Sequence, residues 1–164
     1  MDAIFERMSI RKYEARPVED EKIERLLRAA MAAPSGVNQQ PWEFCVVKNR
    51  AAIEALSKAS PYASCVAGAP VVIVPLLKKD AKVPEIAPYD LSNATENILL
   101  EATALGLGAV WICIAPFEDR IRVAADVLKT PADVTPFVLI PLGYPAEQRA
   151  WKSRYDAARV HVIE

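Results

Sequence analysis

Between residues 90 and 105, Leu91, Ala94, Ile98, Ala102 and Leu105 recur along one face of a helix, while Leu99, Leu100 and Ala104 lie off that stripe. A helix that is apolar on several sides must be covered on several sides, either at the centre of its own chain or against a second subunit. The flanking sequence supplies the cover. Residues 20–33 carry Ile23, Leu26, Leu27 and Ala30 at helical spacing, with acids in the first turn and Pro34 just past the end. Residues 44–47 and 71–74 are short β-branched runs that read as strands, and Asn49 is placed to cap a helix through Lys58 between them. Residues 110–114 read as another strand and 117–128 as a helix. Residues 137–140 read as a further strand, ended by Pro141 and Gly143. The pattern predicts a sheet threaded with helices. Residues 78–88 form a polar, proline-containing loop long enough to cover a site, and beyond Tyr144 the chain turns polar and aromatic without a helical stripe. Such a tail either frays or lies across something else.

The 164 residues are expected to form one domain, because a chain of roughly 150 residues buries about 68–70% of its unfolded surface without a disulfide or metal. A hydrophobic content of 52% and a charged content of 25% fit a globular chain, and the net charge of −1 leaves no broad positive field for nucleic acid or an anionic membrane. Any anion must therefore be held by a local cluster of cations. The start of the chain is charged at once and does not read as a secretory signal, and no apolar run has the length of a membrane span. Cys45, Cys65 and Cys113 are odd in number and widely spaced, which predicts reduced core thiols in a cytoplasmic protein.

The usual catalytic constellations are missing. His161 is the only histidine and stands almost at the C-terminus, which removes a Ser-His-Asp triad, an interior Cys-His pair and any histidine-rich metal site. Gly106-Leu107-Gly108 follows a helix and precedes a strand, the reverse of a dinucleotide-binding loop, so it is expected to end a helix. Chemistry in this chain calls for a cofactor.

Three segments stand out. In Arg7-Met8-Ser9-Ile10-Arg11-Lys12-Tyr13, two guanidiniums and a hydroxyl follow a short N-terminal helix. Alone this is a solvated basic turn or a phosphate seat, since guanidiniums grip phosphate bidentately. Pro34-Ser35-Gly36-Val37-Asn38-Gln39-Gln40-Pro41-Trp42 holds polar groups between two prolines, as a rigid surface turn or as a frame for a polar ligand edge. Lys152-Ser153-Arg154 alone is a solvated tail.

Together, in this order, the three segments resemble the nitroreductase family, whose members carry R-x-S-x-R/K, then P-S-x-x-N-x-Q-P-W after the second helix, and K-x-R near the C-terminus. The stretches 96–102 and 104–112 also resemble that family's long central helix and the strand after it, so the likeness covers nearly the whole chain. It implies an α+β fold with a central, mostly antiparallel sheet flanked by helices, in an intertwined homodimer with two FMN sites at the interface. By the same resemblance, Arg7, Ser9 and Arg154 hold the FMN phosphate, with Lys152 close by and Met8 in the same segment. A phosphate of about −1.5 to −2 needs more than one cation to leave water. Arg11 would sit near the ribityl chain and the flavin N1/O2 edge, where positive charge stabilises the reduced flavin. Pro34, Ser35, Gly36 and Asn38 would come from the partner subunit, with Gln40 supporting the loop. Ile112, Cys113 and Ile114 would border the flavin near N5. Two departures from the family pattern matter: Cys113 replaces a usual glycine, which throws the local backbone dihedrals into question, and Met8 replaces a commonly basic residue.

The activity implied is ping-pong: NADH or NADPH gives hydride to the flavin, then a flat electron-poor acceptor, a nitroaromatic, quinone or activated alkene, is reduced on the same face. No side chain need act as general acid; the protein orients and tunes the ring. Rival readings are a reductive dehalogenase or flavin-consuming enzyme of the same fold, for which residues 78–88 offer only a short lid, and a non-catalytic flavin-binding or redox-sensing module.

Overall fold

The computed structural model describes residues 2–148, 150 and 153–164. Among the described residues six strands form one sheet: β1 (Trp42–Val47), β2 (Val71–Lys78), β3 (Gly108–Ala109), β4 (Ile112–Cys113), β5 (Val134–Pro136) and β6 (Val138–Gly143). Every ladder is antiparallel. β2 pairs with β1 on one side and with β5 and β6 on the other, and β6 pairs in turn with β3 and β4. Among the described residues the α-helices around the sheet are α1 (Ala3–Glu6), α2 (Asp20–Met31), α3 (Arg50–Leu56), α4 (Ala87–Ala104) and α5 (Glu118–Leu128).

Successive side chains in a strand point to opposite faces, and the two inner strands feed a core on each face. Val71 and Ile73 of β2 and Val138, Ile140 and Leu142 of β6 pack with Leu26 and Ala30 of α2 and Leu91, Ala94 and Ile98 of α4. Val72, Val74 and Leu76, with Leu139, pack instead with Ile53 and Leu56 of α3 and Ala124 of α5. Burial on both faces is why β2 and β6 read as continuous apolar runs rather than alternating ones. Each fully buried Leu or Ile side chain contributes about 1.5–3 kcal/mol relative to exposure, which makes these two strands the energetic centre of the chain.

Helix α4 begins three residues earlier than the spacing predicts, with Pro88 in its first turn, so the covering loop shrinks to residues 79–86. Leu91, Ala94, Ile98 and Ala102 are buried as expected, and off-stripe Leu99 is buried too; Leu100 stays half-buried. Much of the helix's many-sided apolar surface is thus already covered within one chain. Its end is a Schellman motif: the Leu107 N–H donates to Ala102 at 2.8 Å and the Gly106 N–H to Thr103 at 3.0 Å, with Gly106 at a φ of 71°. The Asn49 cap is present, its side chain accepting from the Ala52 N–H at 3.0 Å.

Two strand expectations need correction. Of the strand expected at 110–114 only β4 forms, with β3 just before the expected start, and the strand at 137–140 does not stop at Pro141 but runs through it to Gly143. The two differences share a cause. Pro141 has no N–H to give, and the ladder on that side of β6 is interrupted opposite it, between Ala109↔Leu142 and Ile112↔Leu139. Pro75 plays the same part in β2, falling between the β6 register that ends at Ile73↔Ile140 and the β5 register that starts at Leu76↔Pro136. The partner chain advances one residue more than β2 across that gap, a bulge that explains why β5 has no clean sequence signal. The cysteine expectation also needs correction: Cys113 is exposed, and Cys45 and Cys65 are only half-buried. Among the described residues no helix is long and apolar enough to cross a membrane.

Candidate functional site

Residues 7–11 leave α1 as an extended strip along the sheet edge. Ser9 bridges Ala109 in parallel, and the Ile10 N–H donates to Ala109 at 3.0 Å. The contact needs a glycine opposite: a Cβ on Gly108 would stand 2.6–2.8 Å from Ile10 side-chain atoms. With Ile10 buried, the alternation of an extended chain leaves Arg7, Ser9 and Arg11 to line a cavity of about 840 Å³. Ile4, Phe5, Met8, Ala150, Ser153, Arg154 and Tyr155 complete it. The tail reaches this place because residues 144–146 are laced to 12–14: Glu14 N–H to Tyr144, Ala146 N–H to Lys12, each at 2.9 Å, and a Tyr13↔Pro145 bridge.

The cavity's donor set is one-sided. Arg7, Arg11 and Arg154 line it with Ser9, Ser153 and Tyr155, and among the described residues no Asp or Glu lines it. Two acids hold the strip from outside: Glu96 pairs with Arg7 at 3.3 Å, and Glu147 accepts the Arg11 N–H at 2.6 Å. Such a set fits a phosphate monoester, which takes charge-assisted and often bidentate bonds from arginine. Of the residues expected to hold that group, Arg7, Met8, Ser9, Arg11 and Arg154 are brought together here; Lys152 lies outside the described residues.

The proline-framed loop is somewhere else. Pro34, Ser35, Gly36, Asn38 and Gln40 line no part of the basic cavity of their own chain. They form a tight structure in which Val37, Asn38 and Gln40 take positive φ values of 47°, 52° and 48°. L-residues pay roughly 1–2 kcal/mol each for that conformation, and for a β-branched valine it is an outlier that the surroundings must enforce. Here they do so through hydrogen bonds. Ser35 Oγ accepts the Gln40 N–H at 3.0 Å, and Gln40 Nε2 donates to Asn38 Oδ1 at 3.3 Å. From below, the buried carboxylate of Asp90 accepts the Gly36 N–H at 2.9 Å and the Gln39 side-chain amide at 2.6 Å, while Gln39 Oε1 accepts the Val83 N–H at 2.9 Å. Asp90 and Gln39 were not among the expected site residues. The signal lay in the first turn of α4, where a lone carboxylate on an otherwise apolar stripe had to find donors.

At the third location Ile112 and Ile114 turn their side chains into the core, so only their backbone is available to a ligand, and Cys113 alone presents its side chain. The concern over its backbone is answered: Cys113 sits in β4, and among the described residues only Val37, Asn38, Gln40 and Lys129 are non-glycine residues with positive φ. Cysteine needs no glycine-only dihedral here. Burial pushes the thiols of Cys45 and Cys65 up from their ordinary range, the effect on Cys65 being partly offset by the Arg11 charge. Both are therefore poor nucleophiles. No cluster able to hold a metal ion occurs among the described residues.

Comparison with known proteins bears directly on these features. The model described as the Nitroreductase family matches residues 4–63 and 61–144, which include the basic strip, the proline-framed loop and the strand end. A protein of Methanothermobacter thermautotrophicus, provisionally named an NADH dehydrogenase/NAD(P)H nitroreductase, is 43% identical over 163 residues, 99% of this chain and 85% of its own length. A crystal structure from Clostridium acetobutylicum, provisionally named an NADH oxidase, superposes with a TM-score of 0.96 at 44% identity over 99% of both chains. Another, from Desulfovibrio desulfuricans and provisionally named a nitroreductase, was solved in complex with FMN; it superposes with a TM-score of 0.83 at 34% identity over 99% of this chain and 94% of its own.

Proposed function

This chain belongs to the nitroreductase family, and from that premise we propose that it is a single-domain, cytoplasmic, FMN-dependent NAD(P)H oxidoreductase acting as a homodimer on nitroaromatics, quinones or similar electron-poor acceptors. The observation that carries this reading is the acid-free basic cavity formed by Arg7, Ser9, Arg11 and Arg154. When bound, FMN supplies a ring that takes hydride from NADH or NADPH and passes it to the acceptor in ping-pong order.

The chain's own residues bind and orient. Arg7, Ser9 and Arg154, with Lys152, hold the phosphate, and Arg11 places positive charge by the ribityl chain and the N1/O2 edge. The strand end at residues 112–114 offers backbone N–H groups to the ring. The partner's site is completed by Pro34, Ser35, Gly36 and Asn38, with Gln40 bracing the loop. Two features favour this sharing between subunits: the loop lies apart from its own chain's cavity, and the end of the chain carries Tyr155, Val160, Val162 and Ile163 exposed, an apolar strip in need of cover.

The test is to purify the protein, titrate it with FMN, and record spectra before and after anaerobic NADH and NADPH, followed by steady-state turnover of menadione and nitrofurazone. Stoichiometric FMN with bleaching and turnover supports the proposal. Bleaching without turnover points instead to a flavin-binding module, and failure to bind FMN ends both readings.

A further inference from the structure

Beside the strand end at residues 112–114 lies a cluster that the cofactor reading leaves unused. Arg120, in the first turn of α5, stacks its guanidinium on the Phe117 ring, 3.9 Å from the centroid, with the Tyr62 ring 5.9 Å away on a different segment. Its Nη1 donates to the Cys113 carbonyl at 3.1 Å, which ties the charge to the exposed tip of β4. Both rings are open to solvent, Tyr62 at 74% and Phe117 at 44%.

What the guanidinium does not do is as informative. Its helix neighbours Glu118 and Asp119 do not pair with it, and no carboxylate does so among the described residues. One hydrogen bond to a carbonyl leaves most of its five N–H donors unspent. Other arginines have acidic partners, among them Arg7 with Glu96, Arg16 with Glu19, Arg25 with Glu101 and Arg28 with Glu24, while Arg50, which also lacks one among the described residues, spends both terminal nitrogens on the Ala67 and Ala69 carbonyls. A permanently charged planar fork, held in place by a ring and a carbonyl, suits a carboxylate on a flat molecule, and the two open rings suit the flat part.

We propose that Arg120, with Phe117 and Tyr62, forms an acceptor-recognition site that selects aromatic acceptors bearing a carboxylate. This rests on the reading that residues 112–114 border the flavin. The anion binds the unspent edge of Arg120, the aryl ring lies against Phe117 or Tyr62, and the reducible group is directed toward the strand end.

The test compares 4-nitrobenzoate with neutral 4-nitrobenzamide in the FMN-loaded protein and in Arg120→Gln. The expected result is a kcat/KM higher for the acid by about tenfold or more, the effect of one charge-assisted contact, with Arg120→Gln abolishing that preference through the acid alone. Calorimetric titration with the same two compounds should show the same loss of affinity without requiring turnover. Tyr62→Ser, at an exposed position, should weaken both compounds and serves if Arg120→Gln does not fold. Equal kcat/KM for the two compounds overturns the proposal, as does an equal effect of Arg120→Gln on both. Slower anaerobic bleaching by NADH or NADPH in Arg120→Gln also overturns it, since Arg120 would then serve the reductant. A protein that takes up no FMN would defeat the proposed function itself, and calorimetry would still decide whether Arg120 distinguishes the acid.

Discussion

Helix α4 supports two pieces of the candidate site in opposite ways. Near its start, Asp90 is 5% exposed and clamps the proline-framed loop through the Gly36 N–H and the Gln39 amide. Two turns on, Glu96 is half-exposed and steadies Arg7 by a single contact of 3.3 Å. The loop's polar groups are largely satisfied before any ligand arrives, and its left-handed residues are fixed by those bonds. The basic strip is held more loosely, with Arg7 half-buried against that one contact and Arg11 exposed. On the proposed reading, a part that orients a ring benefits from being rigid in advance, whereas a part that neutralises a phosphate benefits from charge held only by a weak, exchangeable internal partner such as Glu96.

The contrast is most severely tested at the helix both parts share. Ile98 has no exposed surface within its own chain, so Ile98→Lys places an unpaired charge in the core and should cost roughly 4 kcal/mol or more, abolishing cooperative thermal unfolding by circular dichroism. A folded, soluble monomer would mean that Ile98 faces a subunit interface instead. Next in size, Asp90→Ala strips partners from the Gly36 N–H and the Gln39 amide. Bonds to a charged acceptor contribute about 1.5–3 kcal/mol, so urea unfolding should show a loss in that range, with FMN affinity falling as the loop is released. Unchanged stability would show that the loop holds its own shape.

On the basic side the effects should appear in binding and not in folding. Arg154→Ala takes one guanidinium from the cavity proposed to seat the phosphate, a contact of roughly 1.5–3 kcal/mol, so FMN affinity measured by fluorescence titration should drop about tenfold or more, with activity recovering at high added FMN and the melting temperature of the flavin-free protein unchanged. An unaltered affinity would remove the tail from the phosphate site. Smallest of all, Glu96→Gln breaks an exposed ion pair and should change stability by about 1 kcal/mol or less, while FMN binds as tightly as before or tighter because Arg7 is released. Weaker binding would make Glu96 a positioning residue for Arg7.

The parts of this molecule that were legible in sequence are those whose causes are local. The helical stripe of Ile23, Leu26 and Ala30, the Asn49 cap and the glycine end of α4 each express a short-range rule, and each is found where the residues place it. The basic strip was legible because two guanidiniums and a hydroxyl fall within a few residues, although its extended course along the sheet edge was not. What could not be read depended on neighbours distant in the chain. Pro141 looks like a strand terminus until β3 and β4 are seen to part opposite it, and that Ile112 and Ile114 offer only their backbone is seen once the second core claims their side chains. Asp90 stands out as a lone carboxylate on an apolar stripe, but its partner Gln39 is 51 residues away and nothing local joins the two.

The two prolines in the central strands bear on how the chain reaches this sheet at all. An antiparallel sheet assembled from contacts far apart in sequence is exposed to misaligned pairings while it forms, and in β2 and β6, apolar on both faces, a shifted alignment costs little in burial. Pro75 and Pro141 change that balance. Each lacks a donor at a point where the native alignment happens to require none, so sliding either strand would set a donorless residue against a carbonyl that needs one, away from water. Residues that look like interruptions thereby act as checkpoints during assembly, raising the energy of wrong pairings while leaving the correct one untouched.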